Sequence, residues 1–153
     1  MDTLLLVAVI TLITCVAVSV LILVSWWWRP AMWAADLGLP RQEPVAGFAV
    51  LIATLAFLFG GAIAAALVVN DEFGLFWAAV AAWAVTVVFG LWDFLIIDWL
   101  IFIGLRPSWF YIEGMENSPQ IYTWQHHAKE SIPAFFLGIP IGAIAAGVVA
   151  LVT

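Results

Sequence analysis

Between Asp2 and Arg29 the sequence carries no charged side chain, and that run is longer than the roughly 20 apolar residues needed to cross a bilayer. Three more stretches of comparable length follow. Residues 45–70 and 131–153 hold no charge, and the stretch from 73 to 105 holds two acids, Asp93 and Asp98. A chain of 153 residues with 67% hydrophobic and 9% charged residues cannot cover a water-facing surface, since a soluble domain carries roughly 25% charged residues. Lipid is the solvent that receives such apolar faces. The expected fold class is therefore an all-α membrane protein, a single domain built as a four-transmembrane-helix bundle. Its spans are expected at about 3–28, 45–69, 73–105 and 131–153.

The ends of these runs carry stop signals. Trp26, Trp27 and Trp28 followed by Arg29 form an aromatic belt with a charge outside it, and Pro30 ends the helix. The first run lacks a basic amino-terminal region and exceeds the apolar core of a signal peptide, so it is expected to stay as a helix. Spans two and three are joined by a very short turn and must be antiparallel neighbours. The four basic residues are Arg29 and Arg41 in the first loop, and Arg106 and Lys129 in the third. The positive-inside rule then puts loops one and three in the cytoplasm and both termini outside an inner membrane. So few basic residues, scattered, exclude a nucleic-acid footprint. Cys15, the single cysteine, lies in an apolar run and reads as a small packing residue.

Helices associate in lipid by close packing, so small residues mark contact faces. Gly138, Gly142, Ala146 and Ala150 recur every four residues in the fourth span, and Gly60/Ala64 with Gly61/Ala65 form a shorter ridge in the second. These ridges are expected to touch each other or to form an interface in a homo-oligomer or larger membrane complex. Pro133 suits the first turn of the fourth helix, and Pro140 is expected to kink it by removing the bond to Phe136.

The acids of "GLWDFLIIDWL" are costly where they lie. With the core ending near Leu105, Asp98 sits about 10 Å inside and Asp93 about 18 Å inside, at 1.5 Å per residue. Intramembrane acids must be protonated, paired or turned to a polar cavity. On an α-helix, five residues at 100° each set the two about 140° apart, which argues against a dyad from this helix alone. The span itself is long: about 33 residues would reach roughly 50 Å as a straight helix against a core of about 30 Å. Tilt, protrusion or a bend at Gly90 would accommodate it.

Residues 106–131 hold both histidines, both tyrosines and three glutamates. Ser118–Pro119 reads as a helix start, giving an interfacial loop-helix between helices three and four, with Trp109, Phe110 and Tyr111 anchoring the stretch before it. His126 and His127 diverge by 100° and do not share an ion, but either meets Glu130 on one face. That half-site would need acids from elsewhere. Asp93, Asp98, His126, His127 and Glu130 form the candidate ligand or proton site, and Glu113, Glu116, His126, His127 and Glu130 the candidate metal set. The bland alternative is an interfacial histidine pair that bonds locally and does no chemistry.

The run "DWLIF…RPSWFYIEGMENSPQIYTWQHHAKES" resembles small bacterial four-span membrane proteins of unassigned function, over about the last 60 residues. That resemblance implies a recurring site layout and brings no activity. The chain departs from tryptophan-rich sensory proteins despite its ten Trp, having four spans rather than five. Three functional readings follow. The first is a small membrane protein with a polar pocket near the cytoplasmic face for a ligand, ion or proton. The second is an oxidoreductase using a metal, haem or quinone at the His/Glu cluster. The third is an accessory subunit docking through its small-residue ridges.

Overall fold

The computed structural model describes residues 2–34, 43–117 and 122–153. They form α1 (Thr3–Trp28), α2 (Pro44–Phe73), α3 (Leu75–Trp92), a π-helix π1 (Asp93–Leu105) and α4 (Trp124–Val152). Short 3₁₀ turns at Pro30–Trp33, Ser108–Phe110 and Met115–Asn117 break the loops, and no strand occurs among the described residues. The four helices, with π1 continuing α3, are each long and apolar enough to cross a membrane. The protein is a small multi-pass membrane protein with a four-helix bundle.

Local chemistry sets the ends. Asp2 caps α1 by accepting from the Leu4 N–H at 3.0 Å, satisfying one donor of the first turn. Thr3 then donates its hydroxyl to the Glu72 carboxylate, tying the start of α1 to the α2–α3 turn. That turn is a single residue, Gly74, at φ 84° and ψ 176°. This backbone region is essentially closed to side chains, so glycine permits the reversal from α2 to α3.

Inside the bundle α3 packs on both α2 and α4, while α1 lies mainly against α2. Ala62, Ala66, Ala78, Ala82 and Ala145 form the α2–α3–α4 seam with Ile141 and Val149. Alanine at these positions lets backbones approach closely, which is how helices gain dispersion contacts in lipid.

The glycine ridge of α4 meets α3, not the ridge of α2. A methyl on Gly142 would sit 2.9 Å from the Ala79 carbonyl oxygen and 3.2 Å from the Trp83 Cβ. Gly138 faces Thr86 and Trp83. Ala146 continues this face and is buried, whereas Ala150, the last member, is exposed. The two rows of α2 part company. Gly61 faces Thr14 of α1, and Ala65 one turn on is fully buried with Val69, Ala81 and Val85. Gly60 has nothing within 4 Å of where its Cβ would be, and Ala64 beside it is only half-buried. Within one chain Gly60 makes no close helix contact, and the expected contact between this row and the α4 ridge is not formed. The reason is rotational: adjacent rows on a helix lie 100° apart, so when Gly61/Ala65 turns inward Gly60/Ala64 is carried toward the rim.

Three further expectations change. Trp26 is buried, while Trp27 and Trp28 face outward as belt residues do. The histidine segment forms the first two turns of α4 and is not a helix of its own, so α4 begins at Trp124 and runs unbroken into the span expected from 131. The expected start at Ser118–Pro119 lies outside the described residues. Pro133 consequently sits in the helix interior, where it and Pro140 leave the carbonyls of Lys129 and Phe136 without their i+4 donors. The physical reason is that an α-helix tolerates proline once neighbouring helices hold it, which a reading of boundaries from single residues overlooks.

The third change is the winding of the third span. Beyond Trp92 the i→i−4 ladder gives way to i→i−5 bonding, and the Arg106 N–H closes it on the Ile101 carbonyl at 3.0 Å. Exposure along π1 repeats every five residues. Leu95, Leu100 and Leu105 are 45%, 51% and 69% exposed, whereas Ile97 and Phe102 are 5% and 4% exposed. A π-helix turns about 82° per residue, so residues five apart fall on nearly the same face. Gly90 stays buried within α3, and the helix is continuous there.

Gly142→Leu is expected to lower the thermal unfolding midpoint in detergent and to loosen α3 from α4, whereas Gly60→Leu leaves the midpoint nearly unchanged. Gly74→Ala is expected to cost about 1–3 kcal/mol through backbone strain alone. Thermal melts followed by circular dichroism check all three.

Candidate functional site

π winding changes what the third span presents to its neighbours. Asp93 and Asp98 are five apart, so they lie about 50° from one another on π1, where an α-helix would separate them by about 140°. The expectation that they cannot share a face is thereby overturned. Both are only partly exposed, and they lie on the side of π1 that carries the buried Ile97 and Phe102.

The partner comes from α4. His127 is buried, and its Nδ1 lies 3.3 Å from Oδ1 of Asp98. At this distance Asp98 is an ion-pair partner for the imidazolium form of His127. Its ring also meets the edge of Phe102, with centroids 5.2 Å apart. His126 stands beside it, 5.4 Å between ring centroids and nearly perpendicular. The Nε2 of His126 is buried and has no hydrogen-bond partner among the described residues. Unsatisfied buried polar atoms are uncommon, because each one costs about 1–3 kcal/mol.

Phe102 organises the surroundings and was not singled out by sequence reasoning. From π1 it touches Trp26 of α1 (5.8 Å), Phe110 of the third loop (5.4 Å) and Tyr122, on which it stacks at 5.6 Å. Trp26 in turn stacks on Trp33 at 5.6 Å, and the Trp33 indole donates to the Ser25 hydroxyl at 3.1 Å. Phe110, Ile112 and Met115 of the third loop are buried against this cluster, so the loop folds under the end of the bundle. Phe110 is therefore core, where the sequence suggested a headgroup anchor. Arg106 closes the outer side, its guanidinium 4.8 Å from the centre of the Tyr122 ring. The signal that could have found Phe102 is the five-residue spacing Ile97–Phe102, beside Asp93–Asp98 and Leu95–Leu100–Leu105.

Residues of the candidate metal set are dispersed. Glu116 is exposed and accepts from the Tyr111 hydroxyl at 2.8 Å and the Gly114 N–H at 3.1 Å, which makes it the closing residue of a loop turn. Glu113 is exposed on the same loop. Glu130 lies on α4, but its side chain is outside the described set. Among the described residues no three His, Cys, Asp or Glu side chains converge closely enough to hold a metal ion.

The loop turn has its own titration. Hydrogen bonds from its own backbone N–H, then from Tyr111, hold the Glu116 carboxyl below the ordinary carboxylate range, and the same bond to Glu116 holds the Tyr111 hydroxyl above its usual value. A depressed carboxylate contributes stability that is fully present above its unfolded value of about 4.3 and is lost as pH falls through the lower folded value. Glu116→Gln should bring the Tyr111 ionisation back toward about 10, read by ultraviolet absorbance on alkaline titration. Phe102→Ala is expected to cost about 3 kcal/mol or more and to release the loop, read as protease sensitivity between Arg106 and Asn117. No family model, curated protein or solved structure matches the chain, so its own geometry carries the functional reading.

Proposed function

We propose that the protein takes up and releases a proton at an Asp93–Asp98–His127 site, set in the membrane near the end of the bundle that carries the first and third loops. The observation that carries this reading is the 3.3 Å approach of His127 to Asp98, with Asp93 on the same face. Histidine is the side chain whose ordinary titration falls near neutral pH, and a carboxylate beside it gives the proton two places to reside. Two acids and one imidazole, largely withdrawn from lipid, form a group whose charge changes with each proton. A purely structural pair would need only one acid. His126 extends the site toward the loop side, where its buried Nε2, with no partner among the described residues, offers the next station for a proton.

The orientation belongs to the same proposal. Arg29, Arg106 and Lys129 lie at the site's end of the bundle, and the positive-inside rule favours the cytoplasm for that end. The site would then exchange protons with the cytoplasmic side. A metal-dependent reading lacks a converging ligand set among the described residues, and an accessory-subunit reading does not account for the paired acids.

Proton uptake by the purified protein, followed with an indicator dye between about pH 5 and 8, tests this. Wild-type protein is expected to bind one more proton per chain over this range than His127→Gln, which keeps a hydrogen bond to Asp98 without an imidazole to titrate. Equal uptake by wild type, His127→Gln and Asp98→Asn, with all three folded by circular dichroism, would sink the proposal.

A further inference from the structure

The change of winding begins at one acid of the site and places the other five residues on. We propose that the π winding of the Asp93–Asp98 turn is a proton-dependent state: the turn rewinds toward α-helix when the site loses its proton. This inference rests on the proton-site reading above.

In the π form the two carboxylates lie about 50° apart on the helix, and Asp98 meets His127 of α4. Winding the same turn as α-helix carries Asp98 about 90° further from Asp93 and gives them different surroundings. Proton loss raises the negative charge of the stacked pair, and like charges in a low-dielectric setting repel. A proton held at the site removes that repulsion, and the short His127–Asp98 contact then favours the π form. π-turns are costly in isolation and persist where tertiary contacts reward them, so a small change in those contacts shifts the balance.

Charged and titratable groups near the turn come from each element packed on it; on the third loop Tyr122 stacks on Phe102, while Glu113 and Glu116 are exposed. From α4 these are His127 and, beside it, His126; Lys129 on that helix is exposed. From α1 the neighbouring residues Val18, Ile22 and Trp26 are apolar, with Cys15 a turn further along. Beyond π1, Arg106 is directed over Tyr122. Within the described side chains, the site's charge is therefore governed by the two acids and the two histidines.

Rewinding one turn rotates everything after Asp98 by about 90°, and Leu100 would move from lipid toward the bundle. A spin label at Leu100, in a Cys15→Ser background reconstituted in phosphatidylcholine vesicles, reads this by collision with oxygen dissolved in the lipid. A label at Leu91, before the change of winding, is the control. Between about pH 5 and pH 8, accessibility at Leu100 is expected to fall roughly twofold while Leu91 stays constant. Asp93→Asn, which keeps the shape and removes the repulsion, should hold Leu100 at its low-pH value throughout. Unchanged accessibility at Leu100 overturns the switch. If proton uptake is still measured in that sample, the proton site stands without rewinding; if uptake is absent as well, both readings fall. A fall at Leu100 that persists in Asp93→Asn also overturns it, because repulsion between the acids would not be its cause.

Discussion

A carboxylate does not face lipid cheaply, and the third helix must carry two of them. At the depth of Asp93 and Asp98 an ionised side chain turned to hydrocarbon costs several kcal/mol. α winding would let only one acid face the protein, because the other would point about 140° away. π winding sets the two about 50° apart, on the flank from which Asp98 reaches His127 of α4, at the price of a poorer local ladder. Much else then follows. Five-residue spacing puts Leu95, Leu100 and Leu105 on lipid and Ile97 with Phe102 in the core. Phe102 so placed becomes the residue on which α1, α4 and the third loop converge.

The two ends of the bundle are built on different principles. Toward the α2–α3 turn the helices meet through alanine and glycine, and the contacts are those of backbones brought close. Toward the first and third loops the contacts are aromatic, with Trp26, Trp33, Phe102, Phe110 and Tyr122 joined ring to ring. Rings fill the wider space that a π-helix opens beside it. Their polar edges are satisfied locally, as in the Trp92 indole bond to Ser19 at 3.0 Å, one residue before the winding changes.

Much of this was legible in the sequence, and what was not has a physical cause. Charge-free runs marked out the four helices, since lipid admits few alternatives. The same reasoning picked out Asp93, Asp98 and His127 as residues needing an explanation, and the fold brings Asp98 and His127 into contact. The relation of the acids to one another was misread because a rotation of 100° per residue was assumed. Nothing in an apolar run announces a change of period unless each candidate spacing is tried against it. Small-residue spacing has a similar ambiguity: Gly60/Ala64 and Gly61/Ala65 read alike, and only the rotation of α2 separates the rim row from the packed one. Trp26 and Phe110 were read as belt residues because an aromatic near a charge looks alike whether it turns outward or inward. The histidine segment was read as separate from the fourth helix because Lys129 and Glu130 resemble a water-facing edge, although a helix carries such residues readily in its first turns.

The winding of π1 also settles how the helices fit one membrane. Counted in residues, the third span is the longest at 31. A π-helix is broader and rises only about 1.15 Å per residue, so the span reaches about 42 Å, close to the roughly 44 Å of α4. The surplus residues are taken up as girth, and the third helix needs no more tilt than its neighbours to match the same bilayer. Hydrophobic thickness is thus shared evenly across the bundle. Removing a residue from 94–97, which would restore α winding between the acids, would alter that match as well as their register.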